Sequence, residues 1–181
     1  MIISIDESGI HKQDGKSVIA LVYIEVKDLE ATEKLVLQAE QAAGIRGFHW
    51  AHRNWRIREV FVREIARANL KVKIAYINNP IILHKATTEA LEHLLAERKI
   101  SQILIDGDKP KAYTRQLKKV LRDKGITVRK IRSVNDESFP VVRIADAVAG
   151  LARAAYDSPD GKASKLIKLL EPKVELRIDL K

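Results

Sequence analysis

The apolar residues of this chain fall into short runs rich in Ile and Val that alternate with longer stretches of helical spacing. Continuous or period-two apolar runs predict strands, whereas apolar residues three and four positions apart predict helices. The pattern predicts the order β-β-α-α-β-α-β-α-β-α-α-β, which begins with a hairpin over residues 1–26. A hairpin followed by alternating units predicts an α/β fold, with a mixed sheet of about five strands flanked by helices.

Residues that favour helix ends locate several element boundaries. Asp28 and Gly44 are typical first and last cap residues, and they bound a predicted helix. A helix in the middle of the chain is predicted to be capped by Thr87 or Thr88, and a later one by Ser138.

Length, composition and cysteine content limit the class of protein. A chain of 181 residues with 46% hydrophobic residues is typical of a globular protein. The absence of cysteine excludes a disulfide scaffold, a Cys-bearing zinc site, an iron–sulfur cluster and a cysteine nucleophile. The longest apolar run, Val18 to Ile24, is too short to span a membrane, and no signal peptide is recognisable, so we expect a cytoplasmic protein without a membrane partner. Few Asn, Gln and Met residues fit a thermophile.

The net charge of +9 is concentrated in two stretches of the chain. Residues 46–69 contain 6 Arg and 2 Glu, and residues 106–132 contain 10 basic and 3 acidic side chains. Clustered positive charge predicts a polyanionic partner, with DNA or RNA as the favoured class. The alternative is a set of solvated helix faces in a lysine-rich protein.

Four acidic residues occupy positions where acids are chemically informative. Asp6 and Glu7 follow the first predicted strand, Asp106 follows the strand over residues 102–105, and Asp146 lies in a helix made mostly of Ala, Val and Gly. Neighbouring strands lie about 4.8 Å apart, so carboxylates at their ends can share a divalent ion such as Mg²⁺ or Mn²⁺. An acid in a tightly packed apolar helix is costly unless it is paired or metal-bound.

Each acid also has an ordinary structural interpretation. Asp6 and Asp106 can cap turns through their side chains. Asp146 can form a salt bridge to Arg143 or Arg153, or it can face solvent. Only the combination of three acids at two strand ends and a packed helix favours a functional site.

Two segments of the chain resemble a known family. Residues 5–9, I-D-E-S-G, resemble the opening signature of the domain-of-unknown-function family numbered 3800. Its second marker, an acid–Ser pair followed by L-Q-x-A-D-x-x-A-G, resembles Glu137-Ser138 and then residues 142–150, with Arg143 where that family usually has Gln. The family is placed in the ribonuclease-H-like superfamily, so the resemblance implies one ribonuclease-H-like domain over residues 1–181, with a helical insertion at about 28–69.

The resemblance also implies a chemistry for the acids. Asp6, Asp106 and Asp146 would be metal ligands, with Glu7 as a fourth catalytic acid. Two Mg²⁺ or Mn²⁺ ions about 4 Å apart would act on a phosphodiester bond of nucleic acid. The expected function is therefore that of a metal-dependent nuclease with a two-metal-ion mechanism.

Basic residues near the acids are predicted to bind the nucleic acid. Lys109, Lys111 and Arg115 come directly after Asp106, where they would lie close to the substrate backbone. Arg143 would either grip a phosphate or compete with the metal. The same residues on a solvated helix face would have no such role.

Several alternatives stay open at this point. His49 is a possible neighbour of the site, whereas Trp50 and Trp55 are interpreted as ordinary core or interface residues. A second function is a non-catalytic nucleic-acid-binding or assembly module on the same fold. A third is a phosphatase in which the Asp106-Gly107-Asp108 pair is catalytic. The sequence leaves open the choice between DNA and RNA, and the oligomeric state.

Overall fold

A computed structural model describes residues 1–9, 18–78, 83–95, 99–135 and 138–180, with side chains for all of these except 83–87 and 94. Glu137, which belongs to the resemblance, lies outside the described residues. The strands are β1 (Ile2–Ser8), β2 (Val18–Val26), β3 (Leu70–Asn78), β4 (Lys99–Asp106), β5 (Thr127–Val134) and β6 (Val174–Leu180). The helices are α1 (Leu29–Ala43), α2 (Trp55–Ile65), α3 (Leu83–Leu94), α4 (Lys111–Asp123), α5 (Val142–Asp157) and α6 (Lys162–Ile167), with short 3-10 turns at Trp50–His52 and Glu171–Lys173.

The six described strands form one mixed sheet in the order β5-β4-β1-β2-β3-β6. The leading hairpin places β1 antiparallel to β2, and β2 is antiparallel to β3. The β1–β4, β4–β5 and β3–β6 pairs are parallel, so β1 and β4 end at the same edge of the sheet. This edge carries two of the predicted acids.

Helices cover both faces of the sheet. One hydrophobic cluster joins the sheet to α3 and α4 through Leu91, Leu117 and Leu121. The other joins it to α1, α2, α5 and α6, and its residues include Phe61 and Val148. Because β2 is buried along its whole length, it reads in the sequence as a continuous apolar run rather than as an alternating one.

The predicted order of elements is confirmed, and so is the α/β class with a mixed sheet flanked by helices, which has six strands among the described residues. The Asp28 side chain accepts a hydrogen bond from the Ala31 N–H, and Gly44 closes α1 in the left-handed conformation. Two capping predictions are wrong. Thr87 and Thr88 lie inside α3, which begins at Leu83. Ser138 lies in a turn before α5, which begins at Val142.

Within the part of the chain that the structure describes, no helix combines the length and the apolar character needed to cross a membrane.

Candidate active site

Strand alternation determines which face of the sheet receives each acid. Ile5 of β1 is directly opposite Ile105 of β4, and both side chains pack into the cluster beneath α3 and α4. Because successive side chains point to opposite faces, the next residues, Asp6 and Asp106, point to the other face, which α5 covers. The parallel register therefore makes these two acids neighbours on one face. Asp106 ends β4 as predicted, whereas β1 continues past Asp6 to Ser8.

Helix α5 brings the third acid to the same edge because it packs across β1 and β2. Asp146 lies in its second turn among fully buried Ala and Val residues. An Asp146 carboxylate oxygen accepts a hydrogen bond of 2.6 Å from the backbone N–H of Trp50. This contact connects α5 to the segment between α1 and α2.

Asp6, Asp106 and Asp146 all line one cavity of about 530 Å³. The other residues around it are Glu7, Ser8, Gly9, His49, Trp50, Ala51, His52 and Arg153. Burial raises the pKa of the Asp6 carboxyl well above its ordinary value, and the charges of Asp146, Glu7 and Asp106 raise it further. One hydrogen bond of 2.8 Å from the Glu7 N–H opposes this rise. The cavity thus concentrates negative charge around a buried carboxyl group.

Glu7 points to the α4 side of the sheet, as alternation requires. It forms an ion pair with the ammonium of Lys109, which is only one quarter exposed. Burial, together with the negative charge of Glu7, raises the pKa of Tyr113 to about 12. The Tyr113 phenol therefore stays protonated at neutral pH, next to an acid that Lys109 partly neutralises.

The acids fit a divalent cation by the chemistry of their donor atoms. Carboxylate oxygens are the ligands that Mg²⁺ and Mn²⁺ prefer, and a cation would relieve the repulsion that the raised pKa of Asp6 reveals. Their spacing does not match a metal site, because among the described residues no three His, Asp or Glu side chains are arranged to hold an ion. The described residues therefore form a shared acidic cavity and not a preformed metal cage.

The basic residues predicted to contact nucleic acid have diverse surroundings. Lys109 is held by Glu7, whereas Lys111 and Arg115 are exposed on α4. Arg143 is buried, and its guanidinium donates to both carboxylate oxygens of Glu40, at 2.8 and 2.9 Å. It does not line the acidic cavity, and its contact with a phosphate stays a prediction.

Trp50 is the residue whose importance sequence reasoning missed. Its indole ring packs on Gly150 of α5, Arg58 stacks over the ring at 4.5 Å, and the Arg58 Nε–H donates to the Trp50 carbonyl oxygen at 3.0 Å. Interpreting it as a core residue accounts for its burial but not for its hydrogen bond to Asp146. The one available signal was Gly150 itself, since glycine inside a helix often permits a close approach.

Two further features of the cavity were weak signals in the sequence. His49, left open as a neighbour of the site, does line it, and its ring stacks on that of His52 at 4.4 Å. Arg153 places a cation on the wall, where its side chain lies against Gly9. Asp108, the second acid of the phosphatase alternative, is exposed and lies outside the cavity lining.

Comparison with known proteins identifies similar folds among solved structures but no related sequence family. No protein-family model matches the sequence, and no curated protein matches it, so membership of the family numbered 3800 stays a prediction. The fold is similar to that of several solved structures, among them the following three. RNase HII from Archaeoglobus fulgidus, solved in complex with PCNA, matches with a TM-score of 0.59 and 16% identity over 93% of this chain and 86% of that chain.

In the other two structures the match covers a smaller share of the neighbour's chain. Ribonuclease H2 from Pyrococcus horikoshii OT3 matches with a TM-score of 0.58 and 14% identity, over 92% of this chain and 75% of that one. Bst-RNase HIII in complex with Mn²⁺ matches with a TM-score of 0.52 and 14% identity, over 92% of this chain and 62% of that one. At these identities the likeness shows the fold alone. The chain has a ribonuclease-H-like fold.

Proposed function

We propose that this protein is a divalent-metal-dependent nuclease that hydrolyses phosphodiester bonds of nucleic acid. The observation that carries the proposal is the sharing of one cavity by Asp6, Asp106 and Asp146, which come from two adjacent strands and the helix packed on them. The ribonucleases with the same fold support it, and the Mn²⁺ complex among them supports the choice of metal. Asp6, Asp106 and Asp146 would hold the cofactor, either Mg²⁺ or Mn²⁺. When bound, such ions supply Lewis-acid activation of water and neutralise charge on the phosphate, as in a two-metal-ion mechanism.

The residues around the acids have distinct roles in this proposal. Although Glu7 reaches the α4 side of the sheet, it also lines the cavity, where its ion pair with Lys109 would hold it for orienting a water. The Trp50 N–H fixes the direction of the Asp146 carboxylate through a charge-assisted hydrogen bond. Arg153, on the cavity wall, is placed to contact a phosphate oxygen.

A non-catalytic nucleic-acid-binding module is the second candidate function. The observation that favours it is that Glu7 is paired with Lys109 and that no metal cage is preformed among the described residues. In this alternative the protein binds nucleic acid but requires no metal cofactor.

A cleavage assay on labelled single- and double-stranded DNA and RNA separates the two functions. Wild type, Asp6→Asn, Asp146→Asn and the control Asp108→Asn are compared in Mg²⁺, Mn²⁺ or EDTA. We expect metal-dependent cutting by wild type and Asp108→Asn, and a loss of at least about 100-fold in the other two, as removal of a principal charge-stabilising group typically causes.

The outcomes assign the function without ambiguity. Binding without cutting under every metal condition supports the binding module. Loss of cutting in Asp108→Asn with Asp6→Asn intact would contradict the proposed roles of these acids. Thermal unfolding supplies a readout independent of activity, because Mn²⁺ is expected to raise the Tm of wild type more than that of Asp6→Asn.

A further inference from the structure

A second concave surface lies between helix α4 and strand β5, at the end of the sheet. We call it the α4–β5 groove, and its volume is about 380 Å³. It is lined by Arg115, Lys118, Lys119, Arg122, Ile126, Thr127 and Val128. It shares no lining residue with the acidic cavity.

The four cations form a row along one face of α4. Positions 115, 118, 119 and 122 are three or four residues apart, which places them on the same side of a helix. At 1.5 Å of rise per residue, the row from Arg115 to Arg122 is about 10 Å long. Because α4 starts just after Asp106 and leads to the start of β5, the row runs from the acidic edge of the sheet toward the opposite edge.

These charges are not compensated by acids of the described residues. Arg115, Lys119 and Arg122 are exposed, and none of them has an ion pair there. Lys118 donates to the carbonyl oxygen of Arg129 at 2.9 Å, a neutral acceptor that keeps its charge in the groove. A row of uncompensated cations attracts a polyanion more strongly than the same charges interspersed with acids would.

The floor of the groove distinguishes it from a simple solvated helix face. Ile126 and Val128 are buried apolar residues beneath the cations, and Thr127 is exposed beside them. Strand β5 ends the sheet, with β4 as its partner among the described strands. The groove thus offers cations on one wall and apolar and hydroxyl groups below, which suits phosphates and sugars together.

We propose that the α4–β5 groove binds the sugar–phosphate backbone of a nucleic-acid strand that extends beyond the acidic cavity. The inference rests on the proposed nuclease function for the orientation of the strand. A strand within duplex DNA presents one phosphate per about 3.4 Å of helix axis, so the 10 Å row spans about three phosphates of such a strand. The groove adds affinity for long strands and takes no part in bond cleavage.

The test is a binding measurement in EDTA, which requires no catalysis. The triple variant Arg115→Gln/Lys119→Gln/Arg122→Gln is compared with Lys162→Gln/Lys165→Gln/Lys168→Gln, which removes the same charge from exposed positions on or next to α6. Binding of labelled 30- and 6-nucleotide single strands is measured by fluorescence anisotropy across a KCl series. Thermal unfolding confirms that each variant is folded, and the exposed charge reversal Lys119→Glu replaces the triple variant if that variant is not.

We expect the groove variant to bind the 30-mer at least about tenfold more weakly at low salt, and the slope of log K against log[KCl] to fall by about 2. The groove variant should also lose affinity for the 6-mer, which is long enough to span three phosphates, whereas the control variant should bind both strands within about twofold of wild type. An equal loss in the control variant would overturn the inference, since net charge alone would then explain binding. Competition by polyglutamate as effective as that by DNA would overturn it in favour of an acidic protein partner.

Failure of this inference is distinguishable from failure of the nuclease proposal. If the acid variants lose cleavage while the groove variant keeps wild-type binding of the 30-mer, only the groove inference is wrong. If no cleavage occurs but the groove variant loses binding, only the nuclease proposal is wrong.

Discussion

Gly150 lies directly against the indole ring of Trp50, and its replacement by alanine would disturb the contact between α5 and the segment that precedes α2. A Cβ atom at position 150 would lie 2.2, 2.3 and 2.6 Å from three atoms of that ring. Carbon atoms in favourable contact are about 3.5–4.0 Å apart, so the ring would have to move by more than about 1 Å. Trp50 is buried and also held by Arg58, which leaves little room for that movement.

Two opposing effects determine the expected magnitude. Alanine is favoured over glycine within a helix by about 0.8–1.0 kcal/mol, so without the contact Gly150→Ala would stabilise the protein. Overpacking in a core costs about 1–3 kcal/mol, and complete loss of a buried Trp contact costs about 3–5 kcal/mol. We expect a net loss of about 1–3 kcal/mol in the free energy of unfolding. For a chain of this size that is a fall in Tm of roughly 2–12 °C.

The assay is urea unfolding monitored by circular dichroism, with a double-mutant cycle as control. In the Trp50→Leu background the ring is absent, so Gly150→Ala should become neutral or stabilising by up to about 1 kcal/mol. Gly150→Ala should also lower cleavage activity, because the displaced Trp50 N–H no longer orients Asp146. If Gly150→Ala raises the free energy of unfolding in the wild-type background, the reasoning is wrong.

Two other substitutions test the buried charges. In EDTA, Asp6→Asn should stabilise the protein at pH 8. The pKa of the Asp6 carboxyl is raised in the folded protein, so its protonated form adds stability below the unfolded pKa of about 3.9, and this stability is lost as the pH rises through the folded pKa. If chemical unfolding shows that the difference in free energy of unfolding between Asp6→Asn and wild type does not grow between pH 4 and pH 8, the prediction is wrong. Arg143→Met should cost about 3–5 kcal/mol, since it leaves Glu40 charged and buried, whereas the exposed Arg63→Met should cost less than about 1 kcal/mol. If urea unfolding shows that the two Arg variants lose the same free energy of unfolding, the buried pair contributes no more to stability than the exposed one.

Local patterns in the sequence predicted the parts of the site that depend on strand alternation. Asp6 and Asp106 both follow short Ile-rich runs, and the period of two along a strand places both on one face once β1 and β4 are neighbours. That neighbourhood is a pairing between residues about 100 positions apart. The order of elements does not specify it, and only the family resemblance implied it.

Long-range contacts account for what sequence reasoning missed. For Arg143 the sequence offered a salt bridge to Asp146, a contact with a phosphate or competition with the metal. Its partner Glu40 was not foreseen, because it lies 103 residues away on α1, where it also accepts from the Phe48 N–H at 2.7 Å. The packing of Trp50 on Gly150 joins segments equally far apart. Helix starts were misjudged for a more local reason: Thr87 can cap a helix or lie inside one, and the choice depends on which apolar residues reach the core.

The distribution of charge links the acidic cavity to the α4–β5 groove. A polyanion is attracted to the row that contains Arg115 and Arg122, and it is repelled by the cavity that contains Asp6, Asp106 and Asp146. A strand held by α4 can therefore approach the cavity only if positive charge offsets these acids there. Side-chain cations supply part of that charge, and divalent ions would supply the rest. Monovalent salt should thus weaken binding at the groove, whereas chelation should abolish cutting with little effect on binding, because the two surfaces share no lining residue.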